Sequence, residues 1–265
     1  MNKKFSDLST CFIGDVHGCL HELDELLDAF VVPRLISKGC SVVFLGDYLD
    51  RGPHSVAALR RVREFQNQYP KKVVCLLGNH EDYYLRYHRH HQLESTGGPA
   101  NPMRAEEEQL KIFEELSAED FQWMRSLPIY WKEAGLLAVH GGPPKGWRPS
   151  NTIGHYHQLI LRLRYVSPKG HFVSYGRETE LDKHWSESYQ GDLGVVVYGH
   201  SSWPVIHKSY RAWGIDTGCC YGGQLSAILI NSDGELLEEY GVKSRLPKIS
   251  RVNLYQKYHE QENHV

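Results

Sequence analysis

The chain has 265 residues, enough for one sizeable core, and the expected organisation is a single domain over 1–265. Hydrophobic residues make up 41% and charged residues 23%, and the formal net charge of -2 excludes a basic surface that grips nucleic acid in bulk. Residues 1–10 form no apolar signal region, no apolar run is long enough to cross a membrane, and the cysteines (Cys11, Cys19, Cys40, Cys75, Cys219, Cys220) include no C-x-x-C pair. The expected setting is a reducing cytoplasm, with no membrane partner and no thiolate zinc site.

In chain order, residues 10–14 read as a short buried strand ending on Asp15. Leu20, Leu23, Leu26, Leu27 and Phe30 recur at helical spacing. The run 41–45 is a second apolar strand, 55–68 a helix, and 72–77 a third strand that stops at Gly78-Asn79. Strand, loop and helix repeated in this way point to an α/β fold with parallel pairing, in which functional groups collect at the carboxyl ends of the strands. Residues 95–102 read as a loop, 104–116 as helical, and Ser117 with Asp120 as a new helix start. Residues 129–132 and 136–139 look like paired strands. The stretch 143–190, poor in periodic runs and rich in aromatics, is expected to form a cap-like insertion over the active face. Strands return at 195–198, 212–215 and 225–230, and Asn231-Ser-Asp-Gly234 forms a turn before a last strand.

Polar clusters follow the apolar strands: Gly14-Asp15-Val16-His17-Gly18, Gly46-Asp47-Tyr48-Leu49-Asp50-Arg51-Gly52, Gly78-Asn79-His80-Glu81, His140-Gly141-Gly142 and Gly199-His200. Taken singly, an Asp-x-His after a strand is a turn with a hydrogen-bonded histidine, and Asn79 suits a helix N-cap. Together they form an ordered set of carboxylate, imidazole and amide oxygen without thiolate, which suits divalent ions such as manganese or iron. One carboxylate can bridge two ions, and Asp47, central among the clusters, is the candidate bridge.

This ordered set resembles the phosphoprotein-phosphatase family of metallophosphoesterases, over residues 14–229. The resemblance implies an αββα sandwich of four layers, with mixed sheets face to face, helices outside and a cap over the active site. It implies two divalent metal ions, manganese foremost with iron, cobalt or zinc as alternatives. Asp15, His17 and Asp47 would hold the first; Asp47, Asn79, His140 and His200 would hold the second. His80 would be the general acid, oriented by Asp50, with Arg51 gripping phosphate and Asn79 also meeting substrate. A metal-bridging hydroxide would be the attacking group of this hydrolase.

Arg162-Leu163-Arg164-Tyr165 and Gly214-Ile-Asp-Thr-Gly-Cys-Cys-Tyr-Gly-Gly-Gln-Leu225 resemble the symmetrical diadenosine tetraphosphatases and related prokaryotic-type phosphatases. By that resemblance Arg164 is a second phosphate-binding arginine, with Arg162 the other choice, and the substrate is a dinucleoside polyphosphate cleaved at its central anhydride. Asp50, Glu81 in place of aspartate, and His140-Gly-Gly depart from that branch. A protein serine/threonine phosphatase acting on a phosphoprotein, and a silent binding or scaffold protein, are the alternatives, and a capped RNA end shares the polyphosphate chemistry. Trp147, Tyr156, Tyr165, Tyr175, Trp185 and Trp203 are candidates either for stacking on a base or for packing.

Overall fold

The computed structural model describes residues 9–151 and 154–249. The polar residues 1–8, the two positions 152 and 153 inside the expected cap, and residues 250–265 lie outside the described residues.

Two sheets form the centre. The first contains β1 (Ser9–Ile13), β2 (Ser41–Phe44) and β3 (Val73–Cys75), which run parallel in that order. On the other side of β1 lies β13 (Gln224–Asn231), antiparallel and flanked by β14 (Leu236–Lys243). The short β12 (Asp216–Thr217) pairs with Leu225 and Gln224 of β13, next to the stretch that pairs with β1. The second sheet orders β10 (His207–Ser209), β11 (Ala212–Gly214), β9 (Val195–Tyr198), β5 (Leu136–Val139) and β4 (Tyr130–Glu133). Its middle strands are parallel and its outer pairs antiparallel. Both sheets are thus mixed, as expected.

Strand side chains alternate between faces. Phe12, Val43, Leu136, Ala138, Val195, Val197, Ile228 and Ile230 pack together in one buried cluster between the sheets. Their neighbours Cys11, Ile13, Val42, Phe44, Leu137, Val139, Val196 and Tyr198 belong to the other core cluster, on the outer faces. Strands buried on both faces read as continuous apolar runs, which is why they stand out in the sequence.

Helices cover the first sheet: α1 (Leu20–Leu26), running through a π-helical turn at Leu27–Val31 into α2 (Val32–Lys38), and α3 (Ser55–Gln68). The long α4 (Asn79–Ser95) follows β3, and α5 (Glu107–Glu115) and α6 (Ala118–Ser126) return the chain to β4. The helix expected over 104–116 begins at Glu107, where Glu106 and Gln109 form a capping box. Ser117 caps α6 and accepts from Asp120 N, as its spacing implied.

The stretch 143–190 contains α7 (His155–Arg162), α8 (Trp185–Ser188) and a small sheet of β7 (Phe172–Val173), β6 (Tyr165–Val166) and β8 (Lys183–His184). It packs on the outer face of the second sheet: Trp185 donates to the Gly141 carbonyl and meets Tyr198 edge-on, and Trp147 meets Tyr130. Trp147 and Trp185, at 0% and 4% exposure, are packing residues and not base-stacking platforms. Among the described residues no helix is long and apolar enough to cross a membrane.

Candidate metal centre and active site

The parallel strands β1, β2 and β3 end side by side at Ile13, Phe44 and Cys75, and β5 and β9 end at Val139 and Tyr198 in the facing sheet. The loops leaving these ends carry all the polar clusters. Bonds across the sheets tie them together: His140 Nδ1 to the Leu45 carbonyl (2.8 Å), and His200 N–H to Asp15 Oδ2 (2.9 Å).

The backbone of these loops is strained where the site residues sit. His17 (φ 42°), Asp47 (52°), Asp50 (68°), Arg51 (72°) and His200 (63°) all lie in the left-handed region. Such a conformation costs a non-glycine residue about 1–3 kcal/mol, and it persists here because surrounding bonds fix it. Two of those bonds run from Val16 and His17 N–H to the Asp47 carbonyl, at 3.0 and 2.9 Å.

Asp47 is the hub. Its Oδ2 lies 3.4 Å from His17 Nε2, 3.3 Å from His140 Nε2 and 3.8 Å from His80 Nε2. Two ligand groups share it, His17–Asp47–His80 and Asp47–His140–His200, each with its ligand atoms within 4.8 Å of one another. His17 Nδ1 bonds to the Leu49 carbonyl (2.7 Å) as His140 Nδ1 does to that of Leu45. In each ring the Nδ1–H is donated to backbone, so the Nε2 lone pair points at the cluster, the tautomer a metal ligand needs. Asn79 Oδ1 joins them, 2.9 Å from His140 Nε2.

Charge follows the same logic. Burial lowers His17 well below the usual histidine range, with Arg51 adding to it, and burial, Arg164 and His140 do the same to His200. Both rings are therefore neutral donors. Burial alone would raise Asp47, yet His140 and His80 hold its carboxyl well below the carboxylate range. Asp15 goes the other way, pushed up by burial and by the facing charges of Asp216 and Asp47.

The donor set fits divalent cations on independent grounds. Asp15 Oδ1 and His200 Nε2 are buried with no hydrogen-bond partner. Orphaned buried acceptors of this kind are costly unless something positive meets them. His17 Nε2 already draws a cationic group, the Arg51 guanidinium at 2.9 Å. Another buried trio, Cys19, Glu22 and Cys219, is less suited: Glu22 accepts the Arg245 N–H, and hydrogen bonding to Cys19 and burial push the Cys219 thiol far up.

Beside the hub, His80 Nδ1 is hydrogen-bonded to Asp50 Oδ2, and Asp50 Oδ1 accepts from the Tyr84 hydroxyl. His80 N–H also donates to Asp47 Oδ1 (3.1 Å). Its helix starts at Asn79 with Gly78 as N-cap, so Asn79 is a cluster residue and not the cap its type suggested. The two arginines of the Arg162–Tyr165 segment part company. Arg162, last residue of α7, pairs with Asp82 at 2.8 Å. Arg164, beyond the helix, reaches the His200 carbonyl at 3.3 Å and lies over the Tyr175 ring at 4.8 Å.

The family model for calcineurin-like phosphoesterases matches residues 8–246. The chain belongs to the calcineurin-like phosphoesterases. This phosphoesterase is 30% identical to the asymmetrical bis(5'-nucleosyl)-tetraphosphatase PrpE of Halalkalibacterium halodurans, over 90% of this chain and 95% of that protein. It is 26% identical to a symmetrical bis(5'-nucleosyl)-tetraphosphatase of Coxiella burnetii, over 83% of this chain and 88% of the relative. A crystal structure provisionally described as a diadenosine tetraphosphatase superposes with a TM-score of 0.68 at 20% identity, covering 90% of this chain and 95% of that one. A protein serine/threonine phosphatase from Saccharomyces cerevisiae gives 0.55 at 15%, covering 94% and 84%. These two structures bear on fold alone. The phosphoesterase is therefore a hydrolase of a family that works with a binuclear divalent metal centre, and the ligand groups sharing Asp47 are candidates for holding it.

Three residues at the site carry weight that the sequence did not reveal. Tyr84 bonds Asp50. Asp216, in the short strand beside β1, faces Asp15 and accepts Gly218 N–H (2.9 Å). Glu81 is fully buried under the Asp47 loop; burial and Asp47 push its carboxyl up to about 8, against the pull of the Leu49 and Tyr48 N–H groups. Asp216 lies inside the quoted Gly214–Leu225 segment, which was the available signal.

Proposed function

We propose that this phosphoesterase hydrolyses dinucleoside polyphosphates, with diadenosine tetraphosphate as the type substrate. The supporting observation is the placing of arginines on both histidine sides of the metal cluster, Arg51 against His17 and Arg164 against the His200 loop. A phosphomonoester needs one anion pocket. A polyphosphate chain spreads several charges, and separated guanidinium forks match neighbouring phosphates. The relatives named as tetraphosphatases, matched over most of their length, support the same class.

In this reading Asp15, His17 and Asp47 would hold one cation, and Asp47, Asn79, His140 and His200 would hold the other. The mixed oxygen and nitrogen donors favour manganese. When bound, the cations acidify water and neutralise phosphate charge. The chain's own residues do the rest. Arg51, Arg164 and Asn79 orient the phosphates. His80, whose Nδ1–H is held by Asp50, carries its transferable proton on Nε2 and delivers it to the departing oxygen. Tyr165 and Tyr175, stacked at 21° with centroids 6.5 Å apart beside Arg164, offer a surface for a base. All cysteines are free and buried, in keeping with a reducing cytoplasm.

Product chromatography with manganese tests the substrate. Two nucleoside diphosphates mark central cleavage; a triphosphate with a monophosphate marks cleavage off centre; either supports the proposal. Intact tetraphosphate alongside turnover of a phosphopeptide would move the protein to the phosphoprotein class. Intact tetraphosphate alongside release from a capped RNA end would assign it to RNA.

A further inference from the structure

We infer that Glu81 is a positioning residue that presets the metal centre, holding the Asp47 loop in its ligand-ready shape before any cation arrives. The inference goes beyond the substrate reading and does not depend on it.

The Glu81 carboxylate is fully buried and gathers backbone N–H groups from two motifs. Oε2 accepts from Asp47 N (3.0 Å) and Gly78 N (3.1 Å). Oε1 accepts from Tyr48 N (2.9 Å) and Leu49 N (3.1 Å). Three consecutive amides of a loop that opens on a left-handed residue thus converge on one carboxylate, the reverse of the usual backbone nest around a free anion. Here the receiving carboxyl belongs to the protein, and its four N–H donors favour the ionised form against the burial and the Asp47 charge that push it up to about 8.

What the loop then does follows from its carbonyls. The Leu49 carbonyl fixes His17 Nδ1, the Asp47 carbonyl takes Val16 and His17 N–H, and the Tyr48 carbonyl takes Gly18 N–H at 2.9 Å. One side chain therefore sets Asp47 directly and His17 through Leu49. It lies two residues from Asn79 on the same helix, so the clusters around residues 17, 47 and 79 share one anchor. Gly78 makes the approach possible: a Cβ there would lie 2.2 Å from Asp47 N and 2.7 Å from Glu81 Oε2.

Glutamine cannot replace this group. Its amide oxygen serves at most two of the donors, and its NH2 faces the others. Glu81→Gln should therefore act first on metal binding, as partners that orient ligands do, weakening manganese affinity by about 10–100-fold. At saturating manganese most of kcat should return, which a damaged fold would not allow. Glu81→Asp, one methylene short of reaching both motifs, should fall between the two.

Amide exchange in the metal-stripped wild-type protein is the deciding experiment. The Asp47, Tyr48, Leu49 and Gly78 amides should exchange as slowly as those of β2, and in Glu81→Gln they should quicken while β9 stays protected. Free exchange of these amides in the stripped wild type, at the rate of the exposed 95–102 loop, would overturn the inference, and so would a Glu81→Gln protein with wild-type manganese affinity. If Glu81→Gln does not fold, the wild-type exchange decides alone.

Discussion

Asp50→Asn isolates charge from shape at the general acid. Asp50 sits at φ 68°, a conformation asparagine adopts with little penalty, so the backbone should stay in place. An asparagine oxygen can still accept from His80 Nδ1, and its NH2 can donate to the Tyr84 oxygen, since a hydroxyl both gives and accepts. What is lost is the negative charge beside an imidazolium, with side-chain exposures of 15% for His80 and 8% for Asp50. A hydrogen bond to a charged group is worth about 1.5–3 kcal/mol and a neutral one about 1, so the substitution removes roughly 0.5–2 kcal/mol from the protonated acid. That corresponds to a loss in kcat of about 2–30-fold for a substrate whose leaving oxygen must be protonated. An aryl phosphate, whose leaving group departs without a proton, should lose much less. The assay is kcat for an alkyl and an aryl phosphate side by side, with metal content measured on the same samples. Equal losses on both substrates would refute the general-acid role of His80, and loss of metal would make Asp50 part of the metal site instead.

Gly199→Ala should cost metal and turnover without unfolding the chain, because a Cβ there falls 2.0 Å from Asp15 Oδ1; wild-type metal content with a normal circular dichroism spectrum would contradict this. Arg164→Ala should lower kcat/KM for diadenosine tetraphosphate by about 10–100-fold, the worth of a charged hydrogen bond, and leave aryl phosphate cleavage nearly intact. Equal losses on the two substrates would place Arg164 with the fold. His184, buried between Ser186 and Ser201, is brought by burial from 6.5 to about 3. The unfolded chain thus takes up a proton near pH 6.5 that the folded chain refuses until about 3, so stability falls as pH drops through that window. This one group contributes about 1.4 kcal/mol per pH unit, and denaturant titrations of His184→Gln should show a slope shallower than wild type by that amount. Parallel slopes would contradict it.

The candidate site motifs were legible because polar clusters at strand ends leave short, fixed strings: Asp15-x-His17, Asp47, Asn79-His80, His140 and His200. The structure draws all of them to one edge. The inner strands were legible for a different reason, burial on both faces. The extension of α1 into α2 was not. Pro33 sits in the first turn of α2 directly after a π-helical turn, and the Ala29 carbonyl four residues before it, which Pro33 has no N–H to meet, accepts from the Arg34 guanidinium at 3.3 Å. The two-residue strands β6, β7 and β8 are too short to show any period.

Arg162 and Arg164 could not be separated by spacing, because the answer depends on where α7 ends. It ends at Arg162, which turns toward Asp82 on α4, and the next two residues carry Arg164 to the His200 loop. Glu81 was visible only as a departure from a related motif. Its partners are amides some thirty positions upstream, at |i−j| of 32 to 34, and a backbone donor leaves no trace in residue type.

The central claim is that hydrolysis depends on a binuclear centre built around Asp47, and metal titration of the stripped protein tests it most directly. Chelator-treated wild-type protein should be inactive and should regain turnover with manganese, levelling off near two equivalents per chain, as the family's binuclear centre requires. Asp47→Asn, treated identically, should neither retain the ions nor recover. Full turnover by wild-type protein with its metal verified as removed would contradict the account.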